Sequence, residues 1–93
     1  MIEKKLEKKL EKKLEKFLKE NNRKFYDGSI KYLALREGAT INNKIRNFHI
    51  VSFMVSVSDQ PYDGDAFFSA RFDEKDYHLV DIIGPQSWEN FEK

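Results

Sequence analysis

Phe48-His49-Ile50-Val51-Ser52-Phe53-Met54-Val55-Ser56-Val57-Ser58 alternates apolar and small or polar residues more regularly than any other part of this 93-residue chain. A period of two places Val51, Phe53, Val55 and Val57 on one side of a pleated strand, with Ser52, Met54, Ser56 and Ser58 on the other. The first half runs in the opposite phase, because Phe48 and Ile50 are the apolar residues and Asn47 and His49 separate them. A strand over about Lys44–Ser58 with such a phase change predicts a β-bulge or bend near Ile50-Val51. The bend would carry Phe48 and Ile50 to the same side as Val51 and Phe53.

Working outward, Ile30–Glu37 reads as a preceding strand, closed by Gly38 and the polar connection Thr40-Ile41-Asn42-Asn43. On the other side, Asp59-Gln60-Pro61-Tyr62-Asp63-Gly64 has proline and glycine placed for a hairpin turn. The third strand, Asp65–Phe72, sets Ala66, Phe68, Ala70 and Phe72 on one face and Phe67, Ser69 and Arg71 on the other. Asp73-Glu74-Lys75-Asp76 is a polar reversal, and the fourth strand, Tyr77–Ile83, stops at Gly84-Pro85. Trp88 and Phe91 fall in the tail. Four strands joined by short polar turns make an antiparallel meander.

The N-terminal segment follows a different rule. From Glu3 to Leu14 the unit Glu-Lys-Lys-Leu repeats without a departure, which in a helix rotates each leucine about 40° from the one before. Ile2, Leu6, Leu10, Leu14 and Leu18, with Phe17 among them, then form an apolar sector roughly 160° wide, suited to lying on a sheet. A coiled coil needs spacings that alternate between three and four, and this step drifts off a partner's stripe. Within the repeat every i,i+4 pair joins like charges, such as Glu3 with Glu7 and Lys4 with Lys8, so the favourable ion-pair spacing is unused. A binary template of good helix formers produces such a pattern, which points to an engineered helix over residues 1–22. The alternative is a natural Lys/Glu-rich helix with a solvated outer face. The expectation is therefore a single α+β domain over 1–93: one long N-terminal helix packed on a four-stranded antiparallel meander sheet, residues 29–93 supplying the sheet and a C-terminal tail.

Composition bounds function. There is no cysteine, which excludes disulfides and thiolate metal sites. No apolar run reaches membrane-spanning length, so the chain reads as soluble. Net charge is +1 overall, yet residues 1–20 carry eight Lys against five Glu (+3) and residues 21–93 nine basic against eleven acidic residues (−2). The basic excess belongs to the repeat, and the body of the domain lacks the basic, aromatic-interleaved face that nucleic acid requires.

Chemistry-bearing patterns are sparse. His49 and His78 read as half-exposed strand positions. None of the six serines lies in a Gly-x-Ser-x-Gly setting, and Ser69, His78 and Asp81 form a triad only on paper. Phosphate-binding glycine loops are missing. Asp59, Asp63 and Asp65 around Gly64 resemble part of a calcium loop, but Pro61 and Tyr62 occupy its interior and turn formation explains them. No catalytic, cofactor-binding or metal site is expected. The more informative residues are apolar: Phe67, Met54 and Tyr32 on the face away from the helix, together with Trp88 and Phe91, form a candidate protein-binding strip unless the tail covers it. The fourth strand, with Asp81 its only charged guard, is an edge that either the Ser87–Lys93 tail covers or a second copy pairs with.

A long helix followed by a four-stranded antiparallel sheet resembles the cystatin fold, and Trp88-Glu89-Asn90-Phe91 is similar to the tryptophan region of plant cystatins. The inhibitory Gln-x-Val-x-Gly hairpin is absent, Ser52-Phe53-Met54-Val55-Ser56 standing in the second strand, so inhibition of papain-like proteases is not implied. From about Glu15 to Lys93, the Asp27-Gly28-Ser29-Ile30 approach and the Val/Phe/Met-rich strand resemble small cystatin-like secreted proteins and lipoproteins of Gram-positive bacteria. That resemblance implies an extracellular or cell-surface protein-binding module of inhibitor, exclusion or immunity type, not an enzyme, with its leader removed. The alternative is an engineered scaffold carrying no biological activity.

Overall fold

The four-residue leucine step does what helix geometry requires of it. In a computed structural model, which describes residues 4–56, 65–85 and 87–92, α1 (Lys4–Glu20) has Leu10, Leu14 and Leu18 fully buried. Leu6 and Phe17 flank them, packed against the same core. The repeat's lysines stay exposed while Glu7, Glu11 and Glu15 lie half-buried along the flank. Glu15 and Lys19 form an i,i+4 pair where the repeat gives way to Phe17-Leu18, the orientation that suits the helix dipole. The helix stops at Asn22, which adopts φ 54°. The Arg23 N–H reaches the Leu18 carbonyl at 2.8 Å and the Asn22 N–H the Lys19 carbonyl at 3.2 Å, the paired closure of a Schellman cap.

The sheet contains β1 (Lys31–Ala39), β2 (Ile45–Ser56), β3 (Asp65–Asp73), β4 (Leu79–Ile83) and β5 (Trp88–Asn90), antiparallel throughout and in that spatial order. The architecture is thus α+β with the N-terminal helix on an open antiparallel sheet, but of five strands where four were expected. The tail supplies the fifth, pairing Trp88 with Ile83, Glu89 with Ile82 and Asn90 with Asp81. Three residues are too few to show a periodicity, yet they satisfy the backbone edge that β4 would otherwise leave open. No helix among the described residues is long and apolar enough to cross a membrane. Ile2, Val57 and the expected Asp59–Gly64 hairpin lie outside the described residues.

The expected bend in β2 is not there. Its register with β3 runs unbroken from Phe48 opposite Asp73 to Ser56 opposite Asp65, so Phe48 and Ile50 point away from the helix while Val51 and Phe53 point toward it. The irregularity sits on the neighbouring strand, at Leu33 of β1, between the pairs Tyr32–Val51 and Ala34–Ile50. The apolar phase change in β2 has another cause: at Phe48 and His49 the strand is buried on both sides. His49 is 3 % exposed against the helix side and Phe48 is fully buried on the other.

The helix-facing core joins Leu10, Leu14 and Leu18 to Tyr32, Val51, Phe53, Ala70, Phe72 and Ile82. Tyr32, expected on the outer face, belongs to this core and shares a 3.0 Å hydrogen bond with His49 Nδ1. Both corrections follow from one pairing, since each ring gives the other a polar partner and neither needs solvent. Glu11 closes the same corner by accepting the Tyr32 N–H at 2.8 Å, satisfying an edge donor beside the β1 bulge.

Gly84 marks where β4 meets this core. A Cβ there would lie 2.3 Å from Cε2 and 2.7 Å from Cδ2 of Phe68, and that ring is stacked on Phe53 at 5.5 Å. We expect Gly84→Ala to destabilise the fold by about 1–3 kcal/mol, the usual range for overpacking, as a shift in the urea midpoint. An unshifted midpoint would mean that Phe68 vacates its place freely.

Candidate functional site

Two features of the sheet face turned from the helix stand out: a buried ionic clasp near β5 and an apolar strip. The clasp begins at Arg71, whose Nε and Nη2 reach Asp81 Oδ1 and Oδ2 at 2.7 and 2.6 Å. Arg71 also spans β2 to the Ala39 carbonyl at 2.9 Å. Its guanidinium lies 4.1 Å from the Phe48 ring centre and 5.5 Å from that of Trp88, and the Trp88 indole N–H donates to Asp81 Oδ2 at 2.8 Å. Phe48, Arg71 and Asp81 are all buried. Gly38 completes the fit, because a Cβ there would come within 2.9 Å of Arg71 Nη1. Asp81 is therefore not the exposed edge guard that a lone strand aspartate suggested. A two-sided salt bridge between aromatic rings is a structural anchor for the tail.

The apolar strip lies toward the other end of that face. Met54 and Phe67 are direct cross-strand partners, and Phe67 is 67 % exposed. The next row runs from Lys31 at the β1 edge through Ser52, Ser69 and Ile83 to Trp88, and Lys31 is its one charged member. Of the residues singled out from sequence, Met54 and Phe67 come together and Trp88 joins the same face, with part of its indole committed to the clasp. Phe91 does not join them: it crosses to the helix side and meets Phe17 edge-on with ring centres 5.1 Å apart. The tail thus covers the β4 edge without covering Phe67.

A charged cluster gathers at the β3–β4 turn. Asp73 Oδ2 accepts the N–H groups of Lys75 and Asp76 at 2.9 and 3.2 Å, and Oδ1 pairs with Arg46 at 2.6 Å. The Arg46 guanidinium, helped by those N–H groups, holds the Asp73 carboxyl down to about 2. Arg46 also holds Glu92 at 2.7 Å, pushing that carboxyl below its usual range, with His78 adding to the effect. His78 Nε2 lies 2.6 Å from Glu92, and Nδ1 contacts Asp76. The Glu92 carboxylate is the main cause of the raised His78 pKa; partial burial opposes it and Asp76 adds to it. Ligand-type atoms of Asp73, Asp76 and His78 fall within 4.8 Å of one another, but Arg46, the turn N–H groups and Glu92 already engage them. This is a self-neutralised ion network.

The paper triad does not assemble. Both Asp81 oxygens are taken by Arg71 and Trp88, and both His78 nitrogens face Asp76 and Glu92. Sequence reasoning missed the clasp because strand arginines and aspartates ordinarily point to water. Compared with family models, with curated proteins and with solved structures, the chain matches none.

Proposed function

We propose that this chain is a non-enzymatic protein-binding module of cystatin-like build, which meets its partner with the sheet face opposite the helix. The observation that carries this reading is Phe67, two-thirds exposed beside Met54, with Ser52, Ser69, Ile83 and Trp88 in the next row and Lys31 at its end. A large ring held on a rigid sheet, with no element among the described residues covering it, gives up little entropy on docking, which is what interface anchors exploit. The clasp and the ion network support the reading differently: they use their own polar groups internally and leave the strip as the sticky part of that face. A second reading, an engineered scaffold without a partner, is favoured by the strict Glu-Lys-Lys-Leu repeat, which binary patterning alone explains.

Affinity capture from a Gram-positive cell extract separates the two. Phe67→Asp should leave stability within about 0.5 kcal/mol, as exposed sites do, and abolish retention of the captured protein. Replacing the helix lysines Lys5, Lys9 and Lys12 with Gln should leave retention intact. Equal capture by the wild-type and Phe67→Asp chains would overturn the strip as the binding surface, and capture of nothing by either would support the scaffold instead.

A further inference from the structure

The ion network at the β3–β4 turn ties three parts of the chain, and its central group is a histidine whose two ring nitrogens both face carboxylates. Nε2 lies 2.6 Å from Glu92 of the tail and Nδ1 contacts Asp76 of the turn. A neutral imidazole has one N–H and one lone pair, so it can satisfy only one of these oxygens and must turn a lone pair on the other. The arrangement is complete only for the imidazolium. The backbone fixes the ring's position, since the His78 N–H is bound to Asp76 Oδ1 at 3.0 Å and the preceding residue, Tyr77, holds φ 62° with its ring 5.5 Å from that of His49.

The charges around His78 are Asp73, Glu74, Lys75 and Asp76 from the turn, Arg46 from β2 and Glu92 from the tail. Arg46 pairs with Asp73 and Glu92, while Asn47 binds Glu74. From the helix, Lys9 and Lys13 reach the neighbouring Tyr77, one at its ring and the other at its carbonyl. Glu92 is one residue beyond Phe91, whose N–H donates to the Val80 carbonyl at 2.8 Å and whose ring rests on Phe17. Whatever fixes Glu92 therefore fixes the end of the strand that closes the β4 edge and the aromatic contact that seals the helix to the sheet.

We propose that His78 is a proton-operated latch on the C-terminal tail: charged, it holds Glu92 and keeps Phe91 seated on Phe17; neutral, it lets the tail fray from Phe91 onward. Arg46 keeps one hold on Glu92 in either state, and the Arg71–Asp81–Trp88 clasp is untouched, so the motion is confined to the strand's end. Because partners raise the folded-state pKa of His78, the closed form dominates at pH below its titration and is lost as pH rises through it. The latch is independent of the Phe67 strip.

Amide exchange of the full chain, followed by NMR from pH 5.5 to 8.5 and corrected for intrinsic base catalysis, reads the latch directly. Protection of the Phe91 amide should fall about tenfold, the worth of one charge-assisted hydrogen bond at a partly solvated site, with the midpoint of the His78 imidazole titration. The Trp88 indole N–H should show no such fall. His78→Lys, which carries its charge throughout this range, should remove the pH dependence while the indole signal reports an intact fold. Flat protection at Phe91 in the wild-type chain, or a fall that persists in His78→Lys, would overturn the proposal.

Discussion

Replacing Asp81 with alanine is expected to cost about 3–5 kcal/mol of stability, the largest effect of any single polar change in this domain. The substitution removes both oxygens that hold Arg71 and the acceptor of the Trp88 indole. It leaves a guanidinium buried under Phe48 with the Ala39 carbonyl as its remaining partner. Solvent cannot reach the orphaned charge unless β5 detaches, so the loss should show in urea unfolding as a lower midpoint. The double variant Arg71→Met/Asp81→Leu tests the cause, because removing both charges should recover most of the deficit, as such replacements often do for buried ion pairs. A cost below about 1 kcal/mol for Asp81→Ala, or no recovery in the double variant, would show that the clasp is not what holds this face together.

Leu14→Ala should cost a comparable amount, about 2–5 kcal/mol, for an unrelated reason. Leu14 has no exposed surface and sits between Leu10 and Leu18 in the cluster that meets Val51, Phe53 and Ala70. Truncation removes the transfer free energy of the lost methyls and opens a cavity that a strand-backed core refills poorly. Lys12→Gln, on the exposed side of the same helix, is the matched control and should change stability by no more than about 0.5 kcal/mol. Equal melting temperatures for these two variants would mean that the helix rides on the sheet without being locked into it.

These two sites differ in how far the sequence revealed them. The leucine row was legible because one physical rule, a rotation of about 100° per residue, governs it from Leu6 to Leu18 with no tertiary information. Strands β1 to β4 were legible to within two residues or so, since turn residues bracket each of them. Asp81 and Arg71 were not legible, because an isolated charge in a strand reads as solvated and only the fold places it under Trp88. His49 and Tyr32 failed for the same reason: each is polar by type and buried only because the other partners it. Phe48 was read as buried, but on the wrong face; alternation cannot distinguish a strand that bends from one whose two sides are both covered. Of the strip, Met54 and Phe67 were legible from strand phase alone, whereas Phe91 depended on the path of a tail with no periodicity to read.

The spatial order of the strands, identical to their order along the chain, has a kinetic meaning. Every ladder joins neighbours in sequence, so each pairing closes a short loop and the entropic barrier to zipping one hairpin onto the next stays small. The helix is the exception, since Glu11 meets Tyr32 across 21 positions and Lys13 meets Tyr77 across 64. Nucleation can therefore begin in the central hairpins and leave those distant closures for the end. The tail strand, synthesised after β4, has a formed edge waiting for it.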